Sequence, residues 1–190
     1  MNYLKLAKNV LLYESIISKE KSNELIKDFE NHNLNWHNSI IGDSQMVDPL
    51  IRSSQQIEIK EKDSKLFYSI NSQIIEKLNH YLLNTEFRSL VRSEKITLLK
   101  YYPGSFFKEH SDYNPNSEIP RIVSCVIYMN PEEYEGGDLE FTKLGISVKP
   151  KTPSMLFFPS TEEYSHIAHP VVSGIKYSIP IWFTNKGERH

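Results

Sequence analysis

Tyr101-Tyr102-Pro103-Gly104-Ser105-Phe106-Phe107-Lys108-Glu109-His110-Ser111-Asp112 is the stretch on which the chemistry and the fold of this chain turn. It ends in His-x-Asp. On an extended backbone, residues i and i+2 point to the same side, so the His110 imidazole and the Asp112 carboxylate converge on a single ion. Two ligands do not make a site. The candidates for a third lie downstream in Ser165-His166-Ile167-Ala168-His169-Pro170, which offers His166 and His169. Two histidines and one carboxylate on one face of a metal leave the opposite positions open, an arrangement suited to non-haem Fe(II) oxygen chemistry.

Outward from this stretch the chain divides into a helical front half and a β-rich back half. After residue 94 the pattern predicts short strands over Ile96 to Tyr102, Ile122 to Met129, Asp138 to Phe141, Ser154 to Phe158, His166 to Val172 and Lys176 to Thr184. All are rich in Val, Ile, Tyr and Phe, and Pro-Gly, Asn-Pro, Gly-Gly and Ser-Gly pairs punctuate them. Upstream, residues 3–17 predict an edge strand entering a helix. Ser18 is placed to cap a helix running to about Asn31, with Leu25, Ile26 and Phe29 as its apolar stripe. Gln56-Ile57-Glu58-Ile59-Lys60 alternates like a strand inside an otherwise irregular 33–60. Asp63 or Ser64 caps a longer helix to about Leu83, with Leu66, Ile70, Ile74, Leu78 and Leu82 on its core side. Short strands at this spacing with two helices against one sheet predict a sandwich or jelly roll in one domain.

Composition narrows the function. The chain has 190 residues, 39% hydrophobic and 24% charged, with 22 Lys+Arg against 24 Asp+Glu and a net charge of −2. That balance carries no footprint of a dedicated nucleic-acid binder and no polybasic membrane signal. No apolar run reaches the roughly 18–20 residues of a membrane span, and Met1-Asn2-Tyr3-Leu4-Lys5 does not lead into a secretory segment. The single cysteine, Cys125, excludes an internal disulfide and suits a reducing, cytoplasmic interior. It reads as a small core residue. Metal chemistry must then run on histidine and carboxylate. Of the seven histidines, His32, His37, His80 and His190 have no spaced partners and read as surface or tail residues. Glu132, Glu133 and Glu135 read as a solvated acidic turn.

The 101–112 stretch carries Y-x-x-G-x-x-F-x-x-H-x-D. Ser124-Cys125-Val126-Ile127-Tyr128-Met129-Asn130 follows, then Glu135-Gly136-Gly137-Asp138-Leu139, then His166-x-x-x-Pro170-Val171-x-x-Gly174-x-Lys176-Tyr177. In this order and spacing the pieces resemble the Fe(II)/2-oxoglutarate-dependent dioxygenases, specifically their prolyl 4-hydroxylase-like branch. The resemblance covers roughly residues 95–184, and Ile51-Arg52-Ser53-Ser54 looks like the R-x-S segment many of these enzymes carry earlier in the chain. It implies a double-stranded β-helix, a jelly roll supported by N-terminal α-helices: residues 1–94 as helical support and substrate-side segments, 95–184 as the catalytic β core.

The resemblance also assigns roles. It puts the metal ligands on His110, Asp112 and His166, with His169 in reserve, because the family places its last ligand four residues before a Pro-Val. Lys176, ten residues after His166, grips the C5 carboxylate of 2-oxoglutarate, since a buried carboxylate without a partner is costly. Tyr128 and Tyr101 complete that pocket, Tyr102 exchanging with Tyr101 if a bulge intervenes. Arg52, Arg121 and Trp182 fall where the branch contacts its substrate. Fe(II), 2-oxoglutarate, O2 and ascorbate as reductant are the implied cofactors. The implied reaction is hydroxylation of proline in a peptide or protein, coupled to decarboxylation of 2-oxoglutarate to succinate and CO2. The alternatives are an oxygenase acting on a free amino acid or other small molecule, and a non-enzymatic jelly-roll module. The nucleic-acid repair branch is disfavoured, because it places two arginines where this chain has Lys176 and then none until Arg189. The stretch Trp36 to Gln55 and the loop Tyr113 to Pro120 are the expected lids.

Overall fold

The computed structural model describes residues 2–31, 35–41, 46–59, 65–87, 91–113 and 119–185. The chain enters through β1 (Leu4–Ala7) and β2 (Val10–Tyr13), then α1 (Lys19–Glu30), β3 (His37–Asn38), β4 (Gln55–Glu58) and α2 (Lys65–Leu83). The back half adds β5 (Val91–Ser93), β6 (Thr97–Tyr101), β7 (Phe107–His110), β8 (Arg121–Tyr128), β9 (Tyr134–Gly136) and β10 (Leu139–Phe141). It finishes with β11 (Ile146–Val148), β12 (Ser154–Pro159), β13 (His166–Ala168), β14 (Val171–Gly174) and β15 (Lys176–Asn185). Among the described residues, the major sheet runs β1-β2-β12-β8-β15-β6-β4-β3, with β5 also on β15. A minor sheet runs β11-β10-β13-β7, and β14 pairs with β9. The two larger sheets form the two walls of a jelly roll.

The strands at the centre of the major sheet are buried on both faces, and their period of two sorts side chains between two compartments. Val123, Cys125 and Ile127 of β8, Met155 and Phe157 of β12, and Tyr177, Ile179, Ile181 and Phe183 of β15 join Leu25, Ile26 and Phe29 of α1 and Ile70, Ile74 and Tyr81 of α2 in one core. The alternate residues, Tyr128, Leu156 and Phe158, face the minor sheet and pack on Leu139, Phe141, Val148 and Ala168. The helices therefore cover one side of the major sheet, and the interior of the roll lies on the other. Pro180 is tolerated inside β15 because the pairing with β6 ends at Ser178 and that with β5 starts at Phe183.

Local chemistry explains the front half. Ser18 caps α1 as expected, its Oγ accepting from the Lys21 amide at 3.1 Å. Residues 3–17 depart from expectation, forming the β1–β2 hairpin rather than one strand. The turn places Asn9 at φ 57°, a left-handed conformation that Asn tolerates, and its carbonyl accepts the buried Tyr81 hydroxyl at 2.9 Å. The hairpin and β3–β5 make the first 94 residues part of the main sheet as well as its helical support. The second helix ends where expected, but its proposed caps, Asp63 and Ser64, lie outside the described residues, as do His32, His190 and the middle of both expected lids (42–45 and 114–118). Predicted strand 166–172 breaks in two at His169-Pro170. His80 is half-buried rather than free, its Nδ1 2.8 Å from the Tyr13 hydroxyl. No described helix is long and apolar enough to cross a membrane.

Phe157 joins the helices to the sheet, with its ring against those of Tyr13, Tyr81 and Phe183. Phe157→Ala should cost about 3–5 kcal/mol in urea unfolding, whereas Leu83→Ala, at a 78% exposed residue, should cost less than about 1 kcal/mol.

Candidate active site

Neighbouring strands of the minor sheet bring the two histidines together: His166 of β13 stands directly opposite His110 of β7, their ring centroids 4.3 Å apart. Asp112 follows just beyond the end of β7. His110 Nε2 lies 3.8 Å from one Asp112 carboxylate oxygen and His166 Nε2 lies 4.0 Å from the other. All three ligand atoms fall within 4.8 Å of one another, a group able to hold one metal ion. Each histidine donates its Nδ1–H to the carbonyl two residues earlier, His110 to Lys108 at 2.8 Å and His166 to Tyr164 at 3.0 Å. A carbonyl only accepts, so the proton is fixed on Nδ1 and the Nε2 lone pair is left for the metal.

The electrostatics keep this donor set ready. Burial first, then the facing His166, push His110 down to about 3, so its imidazole is neutral at physiological pH. Burial alone would raise the Asp112 carboxyl, but His166, His110, the Ser124 hydroxyl and Arg121 together hold it below the ordinary carboxylate range. Ser124 is itself fixed, its hydroxyl 2.8 Å from that of Ser160. His169 plays no part here. Its Nε2 is 2.6 Å from Glu140 Oε2, on a half-exposed surface pair. Phe107 stacks on His110 at 3.6 Å between centroids and holds the ring plane.

Lys176 opens β15 on the interior side, opposite Tyr101 of β6. It is 3% exposed, and its ammonium donates to the Gly137 carbonyl at 2.6 Å. The same ammonium lies 5.3, 5.4 and 5.8 Å from the ring centroids of Tyr101, Tyr128 and Tyr134. Burial lowers its pKa to about 8, against the opposing pull of Asp138. Tyr101 is buried and Tyr102 exposed, so Tyr101 is the one that faces the pocket. Tyr128 Oη is buried without a hydrogen-bond partner. A buried cation with no carboxylate in ion-pair contact and a buried hydroxyl with no hydrogen-bond partner together describe a pocket suited to an anion. The His-Asp-His donors and this pocket thus fit Fe(II) and the distal carboxylate of 2-oxoglutarate.

Two supports of this pocket were not singled out in the sequence. Asn130 brackets Lys176, its Nδ2 donating to the Ile175 carbonyl at 2.8 Å and its Oδ1 accepting from the Tyr177 amide at 2.9 Å. Tyr134 supplies the third ring, after the short turn Pro131–Glu133. The expected acidic turn around it is solvated, as anticipated. The signal for Asn130 was present in the sequence, as a polar residue closing an apolar strand. Gly137 adopts φ 67°, a conformation side chains disfavour, and a Cβ there would sit tightly, 3.2 Å from Lys176 Cδ and 3.3 Å from the Tyr134 ring.

A cavity of about 1000 Å³ opens beside the metal ligands. His110, Asp112, Phe107, Arg52, Arg121 and Trp182 are among its walls, whereas His166, Lys176 and the three tyrosines are not. All three residues expected at the substrate side therefore share one cleft. Arg52 is buried rather than a surface charge, and Trp182 lines the cleft rather than the core. Arg121 reaches it through a β-bulge. The β8–β15 register shifts after Phe183↔Val123, which sets Arg121 opposite the inward-facing Thr184. There Glu94 accepts two hydrogen bonds from its guanidinium, at 2.7 and 2.8 Å, and the guanidinium lies 3.9 Å from the Trp182 ring centroid.

Comparison with known proteins agrees with this geometry. A segment of 69 residues, 34% of the chain, is 35% identical to human prolyl 3-hydroxylase 2, and the match spans only 10% of that longer protein. Two solved structures share the fold at 19% identity. A prolyl hydroxylase from Trichoplax adhaerens, in complex with a hypoxia inducible factor oxygen degradation domain peptide fragment, superposes with a TM-score of 0.79 over 96% of this chain and 86% of its own. The viral collagen prolyl hydroxylase of Paramecium bursaria Chlorella virus-1, solved with 2-oxoglutarate, gives 0.73 over 94% and 97%. The pattern of the 2OG-Fe(II) oxygenase superfamily matches residues 96–184, from the strand that carries Tyr101 to the end of the one that begins at Lys176. The segment that carries His110, Asp112, His166 and Lys176 is thus the one that resembles the 2OG-Fe(II) oxygenase superfamily.

Proposed function

We propose that the chain is an Fe(II)- and 2-oxoglutarate-dependent dioxygenase that hydroxylates proline in a peptide or protein, acting in a reducing compartment with ascorbate as reductant. The observation that carries this reading is the cleft beside His110 and Asp112. At about 1000 Å³ it is far larger than a free amino acid needs. Its aromatic walls, Phe107, Tyr113 and Trp182, suit the apolar faces of a pyrrolidine ring. The names of the human relative and of the two solved structures point the same way.

In this reading His110 and His166, through Nε2, and Asp112 hold the iron. Lys176 and the Tyr128 hydroxyl receive the C5 carboxylate of 2-oxoglutarate, with Tyr101 and Tyr134 closing the pocket around it. When bound, Fe(II) would activate O2 as the oxidant, with 2-oxoglutarate supplying half of the electrons that reduce it as it is decarboxylated to succinate and CO2, and the substrate C–H bond supplying the other half. The chain's own residues position and shield. The carbonyls of Lys108 and Tyr164 hold the imidazoles in one orientation. Phe141, Phe158 and Leu139 keep water from the inner side of the ligands. Glu94 and Arg121 fix the Trp182 wall, so the C–H bond to be oxidised is presented in one geometry. No side chain is required as a general acid or base.

Three outcomes are expected. Asp112→Ala should weaken Mn(II) binding, followed by electron paramagnetic resonance, at least about a hundredfold, while His169→Ala binds as the wild type does; the reverse ranking would move the third ligand to His169. Lys176 in the cosubstrate-free chain is charged below pH 8 at a cost to folding. Between pH 8 and about 10.4 the unfolded chain binds more protons than the folded one, so this group's contribution to stability rises with pH. Lys176→Met should therefore raise the melting temperature of the free protein at pH 7 and abolish its further rise on adding 2-oxoglutarate. A variant that melts lower and still responds to 2-oxoglutarate would remove Lys176 from the pocket. Proline-containing peptides incubated with enzyme, Fe(II), 2-oxoglutarate and ascorbate should gain 16 Da on proline by mass spectrometry; oxygenation of free amino acids alone would overturn the peptide assignment.

A further inference from the structure

Buried cations need anions, and some of those among the described residues have one. Lys100 Nζ is 2.8 Å from Glu30 Oε1, and Arg121 is doubly bonded to Glu94. Among the described residues, two deeply buried cations make no ion pair with a carboxylate: Lys176 and Arg52. The first faces the pocket read above as that of 2-oxoglutarate. Arg52, only 6% exposed, is in the same electrostatic position in a different place. Its Nε donates to Ser54 Oγ at 3.2 Å and its Nη1 to the Ile40 carbonyl at 3.0 Å, both neutral acceptors, and its guanidinium lies 4.7 Å from the Phe107 ring centroid.

The residue is held firmly. Arg52 forms a backbone bridge with Phe107, and the Ser53 and Lys108 amides donate to the Phe106 and Ile51 carbonyls on either side of it. Phe107 stacks in turn on His110, so the guanidinium is one aromatic ring removed from a metal ligand. Arg52 also lines the cleft, whereas Lys176 does not. An anion that neutralises it arrives through the cleft and not with the cosubstrate.

We propose that Arg52 is the receptor for a carboxylate of the substrate, which makes the preferred substrate anionic close to the residue that is oxidised. The inference rests on the cleft being the substrate channel. The carboxylate has two sources, an Asp or Glu side chain next to the target or the free C-terminus of the chain, and the test separates them.

Fluorescently labelled octapeptides with a central proline are bound to the full-length protein loaded with Mn(II) and 2-oxoglutarate and followed by anisotropy. Asp is compared with Asn at the residues before and after the proline, and a C-terminal acid with an amide. One carboxylate-bearing member should bind at least about tenfold tighter than its neutral twin, as for a charge-assisted hydrogen bond. Arg52→Gln should bring that ratio to near one, and Arg52→Lys should restore part of it. The ratio is internal to each variant, so a general loss of affinity does not imitate the result, and Mn(II) affinity reports that each variant is folded. Equal binding of all twins, or a preference unchanged in Arg52→Gln, overturns the proposal. Replacing the central proline by alanine keeps the two readings apart. A carboxylate preference that survives the replacement upholds Arg52 while removing proline, and proline-dependent binding without a carboxylate preference does the opposite.

Discussion

The constraint on which the rest depends is the alternation along β15. One face of this strand, Tyr177, Ile179, Ile181 and Phe183, is locked into the apolar core against both helices. The other, Lys176, Ser178, Pro180, Trp182 and Thr184, must then look into the roll, and at about 3.3 Å per residue it extends roughly 20 Å from the ammonium to the indole. One strand thereby carries the cation of the anion pocket at its start and a wall of the cleft near its end. A slip of one residue would bury Trp182 against the helices and send Lys176 into apolar packing. Register and chemistry are thus specified by the same hydrophobic contacts.

The metal-binding group depends on a second pairing, that of β7 with β13. Placing His110 directly across from His166 crowds two imidazoles that would repel one another if protonated, and burial beside Phe107, Phe141 and Phe158 adds to this. Burial and the facing ring keep His110 neutral, and the carbonyls that accept the Nδ1–H bonds orient both rings so that each Nε2 faces the Asp112 carboxylate. Asn130 does comparable work at the other end. It satisfies the backbone on both sides of Lys176, so the ammonium is presented without slack.

Much of this was legible in the sequence, and what was missed has a common cause. His-x-Asp and the apolar strands carry local signals of period two, whereas His166 and Lys176 stood out through the family resemblance; the structure groups His110, Asp112 and His166 and buries Lys176. The choice of Tyr101 over Tyr102 depended on an unbroken strand, which β6 provides. Arg121 shows the limit. A simple alternation from Val123 would turn it towards the helices, and only the bulge beside it brings it into the cleft. Tyr134 and Asn130 act through contacts with β15, more than forty residues away in the chain, and no local period reports such contacts. The β1–β2 hairpin was hidden for a different reason: its turn uses Asn9 in a left-handed conformation without the usual glycine.

The unpaired cations give the molecule a built-in dependence on its ligands. Lys176 sits in a buried pocket with a carbonyl and three aromatic rings for company, and Tyr128 Oη has no protein partner, so the ligand-free fold carries both as costs. The two-sided core against α1 and α2 offsets them. Any anion that binds the folded state alone adds RT ln(1 + [L]/Kd), about 2.7 kcal/mol at a hundredfold excess over Kd. That is a large part of the 5–15 kcal/mol typical of a domain. Because the interior face of β15 continues from Lys176 to Trp182, the anion pocket and the cleft wall are both held by the same apolar core, and neither can shift without breaking it.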